Sequence, residues 1–500
     1  MTDIVLTTLN SKYIHCAFGL RYLFANLGEL QNKAQICEFT IHERPLDIVE
    51  KLIEQQAKII GFSVYIWNVV EVGNCIKILK KIAPEIKIVI GGPEVSHYPD
   101  VPDWFPAVDY CISGAGELQF KTLCKQLLNN EQPLQRVISG IALPLEHLKM
   151  PYEFYDQADI NNRIIYVEAS RGCPFKCEFC LSSLDKTSKS FSLDLFLQEI
   201  DKLIQRGANH FKFIDRTFNL KVKTTVAILE FFLNRLSDDM SIHFEVVPDK
   251  LPEKLREVLA LFPKHVLQFE IGVQTFDEEI QALISRKQDN EKTCENLKWL
   301  RENTTAHIHA DLIFGLPADN LQNFAKSFDK LVKLNPQEIQ LGILKRLRGA
   351  PINRHSKKYQ MVYSENQPYN ILSTRDIDFK TMQRVTRFAR FWDMIGNSGR
   401  FPNTKNIIFA DSPFNNFMKL SDNLYKTEGS SWKISLRRLF KMLHQQLTQV
   451  LKIDEQNVFE ALQRDFIHCN EKGSLASLLN LEDKQNKTGN RNKRQKQHLS

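Results

Sequence analysis

The chain has 500 residues, a formal net charge of +7 and 43% hydrophobic residues, too long for one ordinary core and suited to two or three domains. Its longest apolar runs, such as Lys87-Ile-Val-Ile90 and Ile339–Leu344, are strand-sized and far short of a membrane span. The N-terminus runs straight into a strand without a charged-then-apolar leader, and the ten cysteines then read as reduced thiols plus one metal site. Together these features predict a cytoplasmic enzyme with no membrane anchor.

Residues 1–140 alternate strands and helices. Apolar runs at Ile4–Leu9, Ile36–Ile41, Ile59–Val64, Ile86–Ile90 and Tyr110–Ile112 predict five strands, with helical spacing between them, for instance at Ile48, Leu52 and Ile53. This alternation predicts a doubly wound parallel α/β sheet, which binds ligands at the carboxyl ends of its strands. Ser63, Gly91-Gly-Pro-Glu94 and Gly114-Ala-Gly-Glu117 stand at those ends, where glycine lets the backbone approach a ligand closely. No G-x-G-x-x-G follows the first strand, where Asn10–His15 stands instead, so a nicotinamide site is not expected.

Next, Arg171-Gly-Cys-Pro-Phe-Lys-Cys-Glu-Phe-Cys180 places Cys173, Cys177 and Cys180 at C-x3-C-x2-C spacing just after the apolar run Ile164–Val167. Three thiolates on a short loop can hold three irons of a 4Fe–4S cube and leave the fourth open. A ferredoxin needs a fourth nearby cysteine, and a structural zinc site a fourth Cys or His; the next cysteine here is Cys294. The spacing, with the aromatic Phe179 before the last cysteine, resembles the radical S-adenosylmethionine (SAM) superfamily. The resemblance implies that the open iron chelates the methionine end of SAM and that reductive cleavage yields a 5′-deoxyadenosyl radical. An external electron donor such as flavodoxin or ferredoxin is then required.

Residues 160–350 repeat a strand–helix unit, with strands predicted at Ile164–Val167, Phe211–Asp215, Ile242–Val247, Val266–Ile271, His307–Ile313 and Ile339–Leu344. Six such units make a partial barrel with chemistry at the carboxyl ends of its strands. The series Gly272-Val-Gln274, Ser285-Arg286 and Asp311–Pro317 resembles the radical enzymes typified by oxygen-independent coproporphyrinogen oxidase. That resemblance implies that Glu245 contacts the SAM amino group, Gln274 and Asp311 hold the ribose, and Arg286 pairs with the carboxylate. An arginine fork suits a carboxylate. His307 and His309 read as polar residues lining one strand face.

Gly-Gly-Pro-Glu94, Gly-x-Gly-Glu-x-x-Phe120 and the cysteine motif, in that order, resemble cobalamin-binding domains fused to radical enzymes. The same order occurs in the anaerobic Mg-protoporphyrin ester cyclase and in cobalamin-dependent radical methyltransferases. By that resemblance Ser63, Gly91, Gly92 and Gly114 line the slot for the nucleotide tail of cobalamin. The D-x-H-x-x-G that supplies an axial histidine in cobalamin mutases is missing: Tyr13 replaces the aspartate and Gly19 comes one residue late. His15 is therefore expected to be a loop residue and not a cobalt ligand.

From residue 351 to 482 a mainly helical segment is expected, with a basic helical stretch Arg384–Arg390 and a helical region from Trp432 to about Leu462. It resembles the uncharacterised C-terminal domain of one subgroup of cobalamin-dependent radical enzymes and is expected to close the barrel and shape substrate choice. Residues 483–500 carry six Lys and Arg against one Asp and read as a disordered, solvated basic tail, with attraction to nucleic acid the less favoured use. The expected function is SAM cleavage at the cluster for methyl transfer to an unactivated carbon of an unidentified substrate. Radical cyclisation, rearrangement, and a cobalamin- or redox-sensing regulator are the alternatives.

Overall fold

The computed structural model describes residues 2–410 and 412–480; the expected basic tail lies outside the described residues. The chain forms two compact units, one ending at Met382 and the other beginning at Gln383.

The first unit opens with strands β1 (Ile4–Asn10), β2 (Ala34–Thr40), β3 (Ile59–Ser63), β4 (Lys87–Gly91), β5 (Tyr110–Ser113) and β6 (Val137–Ser139). They form one sheet in the order β2-β1-β3-β4-β5-β6, every neighbour parallel. Helices cover both faces, which is why β1 is buried along its whole length, its Thr7, Thr8 and Asn10 included. Ile48, Leu52, Val72 and Ile76, from helices Pro45–Glu54 and Val69–Ile82, pack with Val5, Ile60 and Ile88 on one face. Leu20 from helix Phe18–Ala25 and Phe120 and Leu123 from helix Glu117–Leu128 pack with Ile4, Leu6 and Val89 on the other. The register pairs Ser63 with Gly91 and Gly91 with Ile112, so the glycine-bearing strand ends lie side by side. The sixth strand was not expected from sequence; three half-exposed edge residues carry too little apolar pattern.

The second sheet contains β7 (Ile165–Val167), β10 (His210–Phe213), β11 (Ser241–Val246), β12 (Leu267–Gln274), β13 (His307–Phe314) and β14 (Glu338–Ile343), in the order β14-β13-β12-β11-β10-β7 and parallel throughout. Between its first two strands, β8 (Ser170–Arg171) pairs antiparallel with β9 (Lys189–Ser190) and closes the cysteine-bearing hairpin. Along β11, β12 and β13 fully buried residues alternate with half-buried ones. Phe244, Phe269 and Ile308 belong to the buried set. His243, Glu245, Glu270, His309 and Asp311 fall on the other, polar face. His307 and His309 lie there as expected, His307 Nε2 2.9 Å from Glu338 and His309 Nε2 3.4 Å from Asp311. Residues 351–382, grouped with the C-terminal segment on sequence, pack in the first unit. There Arg354 and His355 are bound to Glu178, and Tyr369 to Glu94.

The second unit is helical, with helices Pro402–Phe409, Pro413–Glu428, Leu436–Gln449 and Glu455–His468 around Phe388, Trp392, Phe417, Phe440 and Phe466. The helical region expected from Trp432 is two helices, each with its own N-cap: Ser435 accepts from Arg438 N, and Asp454 from Asn457 N. Buried Asp465 accepts hydrogen bonds from the backbone N–H of Asn403 and Thr404 and from the Thr404 hydroxyl, fixing the start of helix Pro402–Phe409. No helix of the described residues is long and apolar enough to cross a membrane.

Candidate functional site

The cysteine hairpin is tied down at several points. Cys173 N donates to Asp185 O at 3.0 Å, and Cys180 N to Cys177 O at 3.1 Å. Gly172 has φ +88° and faces the backbone of Thr187, a position closed to any side chain. Glu178, between the second and third cysteines, is only 4% exposed. It accepts from Ser285 Oγ at 2.6 Å and Arg354 Nε at 2.7 Å, lies 2.9 Å from His355 Nε2, and its N–H donates to Ile284 O. Sequence reasoning passed over Glu178, because its partners lie more than a hundred residues away.

Cys173, Cys177 and Cys180 line one cavity of ≈ 180 Å³ with Phe179. Burial pushes the Cys173 and Cys177 thiols above their ordinary pKa, partly offset at Cys177 by Arg286, whose Nη1 is 3.6 Å from the sulfur. Among the described residues no three Cys, His, Asp or Glu side chains converge as ligands of a single ion would; the three thiols stand around a shared wall.

The same cavity is lined by Glu245, Gln274, Arg286 and Asp311, so the four residues singled out on sequence come together beside the cysteines. Gln274 sits at the end of β12, past a register shift after Gly272, with φ +69°. Its Oε1 is a buried acceptor without a protein hydrogen bond, and the buried Oδ1 of Asp311 has only His309 Nε2 near it, at 3.4 Å and outside hydrogen-bond geometry. Two under-satisfied polar groups on one wall call for hydrogen-bonding partners from a ligand, which ribose hydroxyls, both donors and acceptors, would supply. Arg286 donates to Gln288 Oε1 at 3.0 and 2.8 Å and to Gly272 O, which holds its guanidinium at the cavity edge. Glu245 is paired with Arg216 at 2.7 Å; Arg216 and Glu270 also line the cavity and were not expected.

Burial, reinforced by Glu270 and Glu245, pushes the Asp311 carboxyl up to about 8. A carboxyl raised in the folded state stabilises the fold below its ordinary pKa, and that contribution is lost as pH rises toward about 8. Asp311→Asn, which stays neutral, should therefore unfold at a temperature higher than the parent by roughly a few degrees at pH 9. The gap should close toward pH 4, as checked by thermal melts across pH; a gap independent of pH would refute the ionisation argument.

A second, larger cavity of ≈ 640 Å³ opens at the carboxyl end of the first sheet. Ser63, Gly91, Gly92 and Gly114 all line it, and its far wall comes from Tyr166, Glu168 and Arg171 at the start of the second sheet. Gly114 (φ +86°) faces open space, whereas a Cβ on Gly92 (φ +108°) would sit 2.5 Å from Val64 O. Gly92 is thus required by the turn itself. The slot is glycine-lined backbone with apolar walls, a surface that fits an extended nucleotide tail. His15 Nδ1 lies 2.9 Å from Tyr166 OH; burial, then Lys212 and Lys12, lower its pKa. Tyr65 and Trp67, stacked at 4.4 Å, complete the mouth. The two motif glutamates serve as tethers. Glu94, 2% exposed, accepts from Tyr369 OH at 2.9 Å and pairs with Arg348 at 3.3 Å, while Glu117 pairs with Arg171 at 2.8 Å.

Family models match three segments: "B12 binding domain" over residues 4–123, "Radical SAM superfamily" over 167–331 and "Protein of unknown function (DUF4080)" over 357–500. The chain is 24% identical over 343 residues to the uncharacterized methyltransferase PH0819 of Pyrococcus horikoshii, covering 62% of this chain and 73% of that one. It is 23% identical over 338 residues to the cobalamin-dependent radical SAM methyltransferase TokK of Streptomyces tokunonensis, covering 60% of this chain and 48% of that one. The solved structure of the cobalamin-dependent SAM radical enzyme OxsB shares the fold, with TM-score 0.63 at 15% identity over 93% of this chain and 79% of that one.

Proposed function

We propose that this chain, a radical SAM enzyme carrying a B12 binding domain, transfers a methyl group from SAM to an unactivated carbon of its substrate. The observation that carries the reading is the shared first unit: a cysteine-lined cavity with SAM-type polar groups, and a glycine-lined slot whose far wall is the start of the barrel. Together the bound groups would supply reductive cleavage of SAM to a carbon-centred radical and a cobalt centre suited to carrying a methyl group. The protein's part is positional. Cys173, Cys177 and Cys180 would hold the cluster, with Phe179 packed beside them. Arg286 would orient the SAM carboxylate, Glu245 its amino group, and Gln274 and Asp311 its ribose. Glu245 must then exchange Arg216, its partner here, for the ammonium of SAM. Ser63, Gly91, Gly92 and Gly114 would accept the cobalamin tail.

Arg286→Ala should weaken SAM binding roughly 10- to 100-fold by calorimetry, the cost of a lost charge-assisted pair. Iron content should stay intact; unchanged affinity would show that another cation holds the carboxylate. The function itself is tested by anaerobic reconstitution with iron, sulfide and hydroxocobalamin, followed by reductant and SAM. One cobalamin retained per chain together with 5′-deoxyadenosine release is the expected result. 5′-Deoxyadenosine without cobalamin uptake would replace methyl transfer by a cobalamin-free radical cyclisation or rearrangement, and cobalamin uptake without SAM cleavage would favour a sensor. A reduced flavodoxin or ferredoxin and a cytoplasmic setting fit this chemistry.

A further inference from the structure

We infer that Arg171 is a positioning residue that couples occupancy of the tail slot to the order of the cysteine hairpin. The inference rests on the proposed use of that slot for cobalamin. Arg171 reaches both sides of the junction: Nη1 donates to Glu117 at 2.8 Å, and Nε donates to the two oxygens of Glu168 at 3.1 and 3.0 Å. Its guanidinium lies over the Tyr22 ring at 4.4 Å. Glu117 opens the helix that follows Gly114-Ala-Gly116, so it reports on the glycine loop of the slot, and Arg171, Glu117, Glu168 and Tyr22 all line the slot. Along the backbone, Arg171 ends β8, and the next residues are Gly172 and Cys173.

Other hydrogen bonds hold the hairpin base, Phe191 N donating to Ala169 O at 3.0 Å and Lys221 Nζ to Ser188 O at 2.7 Å, but among residues 169–191 Arg171 alone lines the slot. The β8–β9 ladder is two residues long, supported by Asp215, which accepts from Ala169 N at 3.0 Å and Ser170 Oγ at 2.6 Å. Arg171 keeps 25% of its side-chain surface exposed, against 10% for Glu117 and 8% for Glu168, and all three line the open slot. Glu168 is already buried, so an occupant that excludes water acts on the slot-side pair, lowering the local dielectric and strengthening Arg171–Glu117. The strengthened clamp fixes the residue immediately before the cysteine turn. Linkage makes the effect reciprocal: an ordered, loaded hairpin must tighten binding in the slot by the same factor.

The test uses the full chain, anaerobic, with hydroxocobalamin as probe. Hydrogen–deuterium exchange over residues 172–188 is followed with and without the probe, and probe affinity is measured with and without the cluster installed. The parent should show probe-dependent slowing of exchange in the hairpin and roughly tenfold tighter probe binding once the cluster is present. In Arg171→Ala the probe should still bind, but the slowing should vanish and the affinity ratio should fall to about one. Arg171→Lys, which keeps the charge but not the fork, should restore part of both. Should Arg171→Ala not fold, Glu117→Ala removes only the slot-side pair and should lose the same coupling. Probe uptake by the parent without slowing in the hairpin, or equal slowing in parent and variants, overturns the inference alone. No uptake by the parent overturns the proposed use of the slot as well.

Discussion

Simultaneous replacement of Cys173, Cys177 and Cys180 by alanine should abolish the visible charge-transfer absorbance of the reconstituted protein and all 5′-deoxyadenosine formation. The three thiols share one cavity wall, and Cys294 lies outside it, on the helix Asn290–Asn303. The parent should retain about four irons with one site open to exogenous ligand. Loss should be specific: cobalamin uptake, which depends on the other cavity, should survive at reduced affinity. The reduction follows from the coupling through Arg171. Undiminished SAM cleavage in the triple variant would remove the basis for the cluster assignment.

The second large effect is expected at Gly91. A Cβ there meets only Ile112 O at 3.5 Å, an ordinary contact, and the residue lines the tail slot. Gly91→Leu should therefore leave the fold intact, fill the slot and abolish cobalamin uptake, with cluster assembly and SAM binding retained. Gly92 is the poorer probe, since any side chain there runs into the Val64 backbone and would confuse misfolding with blocked binding. His15→Ala should leave the cobalt spectrum of the bound cofactor unchanged, because His15 is held by Tyr166. A Gly91→Leu protein that binds cobalamin normally would show that the tail runs elsewhere.

Both parallel sheets were legible from their strand patterns, short apolar runs in the first and apolar–polar alternation along β11, β12 and β13 in the second. The cysteine loop was legible because its chemistry is local, spanning eight residues from Cys173 to Cys180. Gln274, Arg286 and Asp311 lie far enough apart that only resemblance to a family could group them, and the fold gives the reason for their meeting: strand ends β12 and β13 and the turn after Leu283 surround one cavity. What sequence did not reveal are the tethers. Glu117–Arg171, Glu178–Arg354 and Glu94–Arg348 span 54, 176 and 254 residues, with no periodicity to betray them. The glutamates of the two strand-end motifs, given no role on sequence, are both engaged by arginines that lie beyond the first sheet. Likewise, Ser435 and Asp454 each begin a helix inside what read as one amphipathic region, because capping interrupts a pattern that apolar spacing alone carries through.

Coproduct stoichiometry tests the central claim most directly. Anaerobically reconstituted protein with bound cobalamin, reductant and SAM is offered candidate substrates, and 5′-deoxyadenosine, S-adenosylhomocysteine and substrate mass are quantified together. Methyl transfer to an unactivated carbon uses one SAM as radical source and another as methyl donor. The two coproducts should then appear in equal amounts, with a methylated product matching each. Turnover that yields 5′-deoxyadenosine and an altered substrate, but no S-adenosylhomocysteine and no added methyl group, would contradict it.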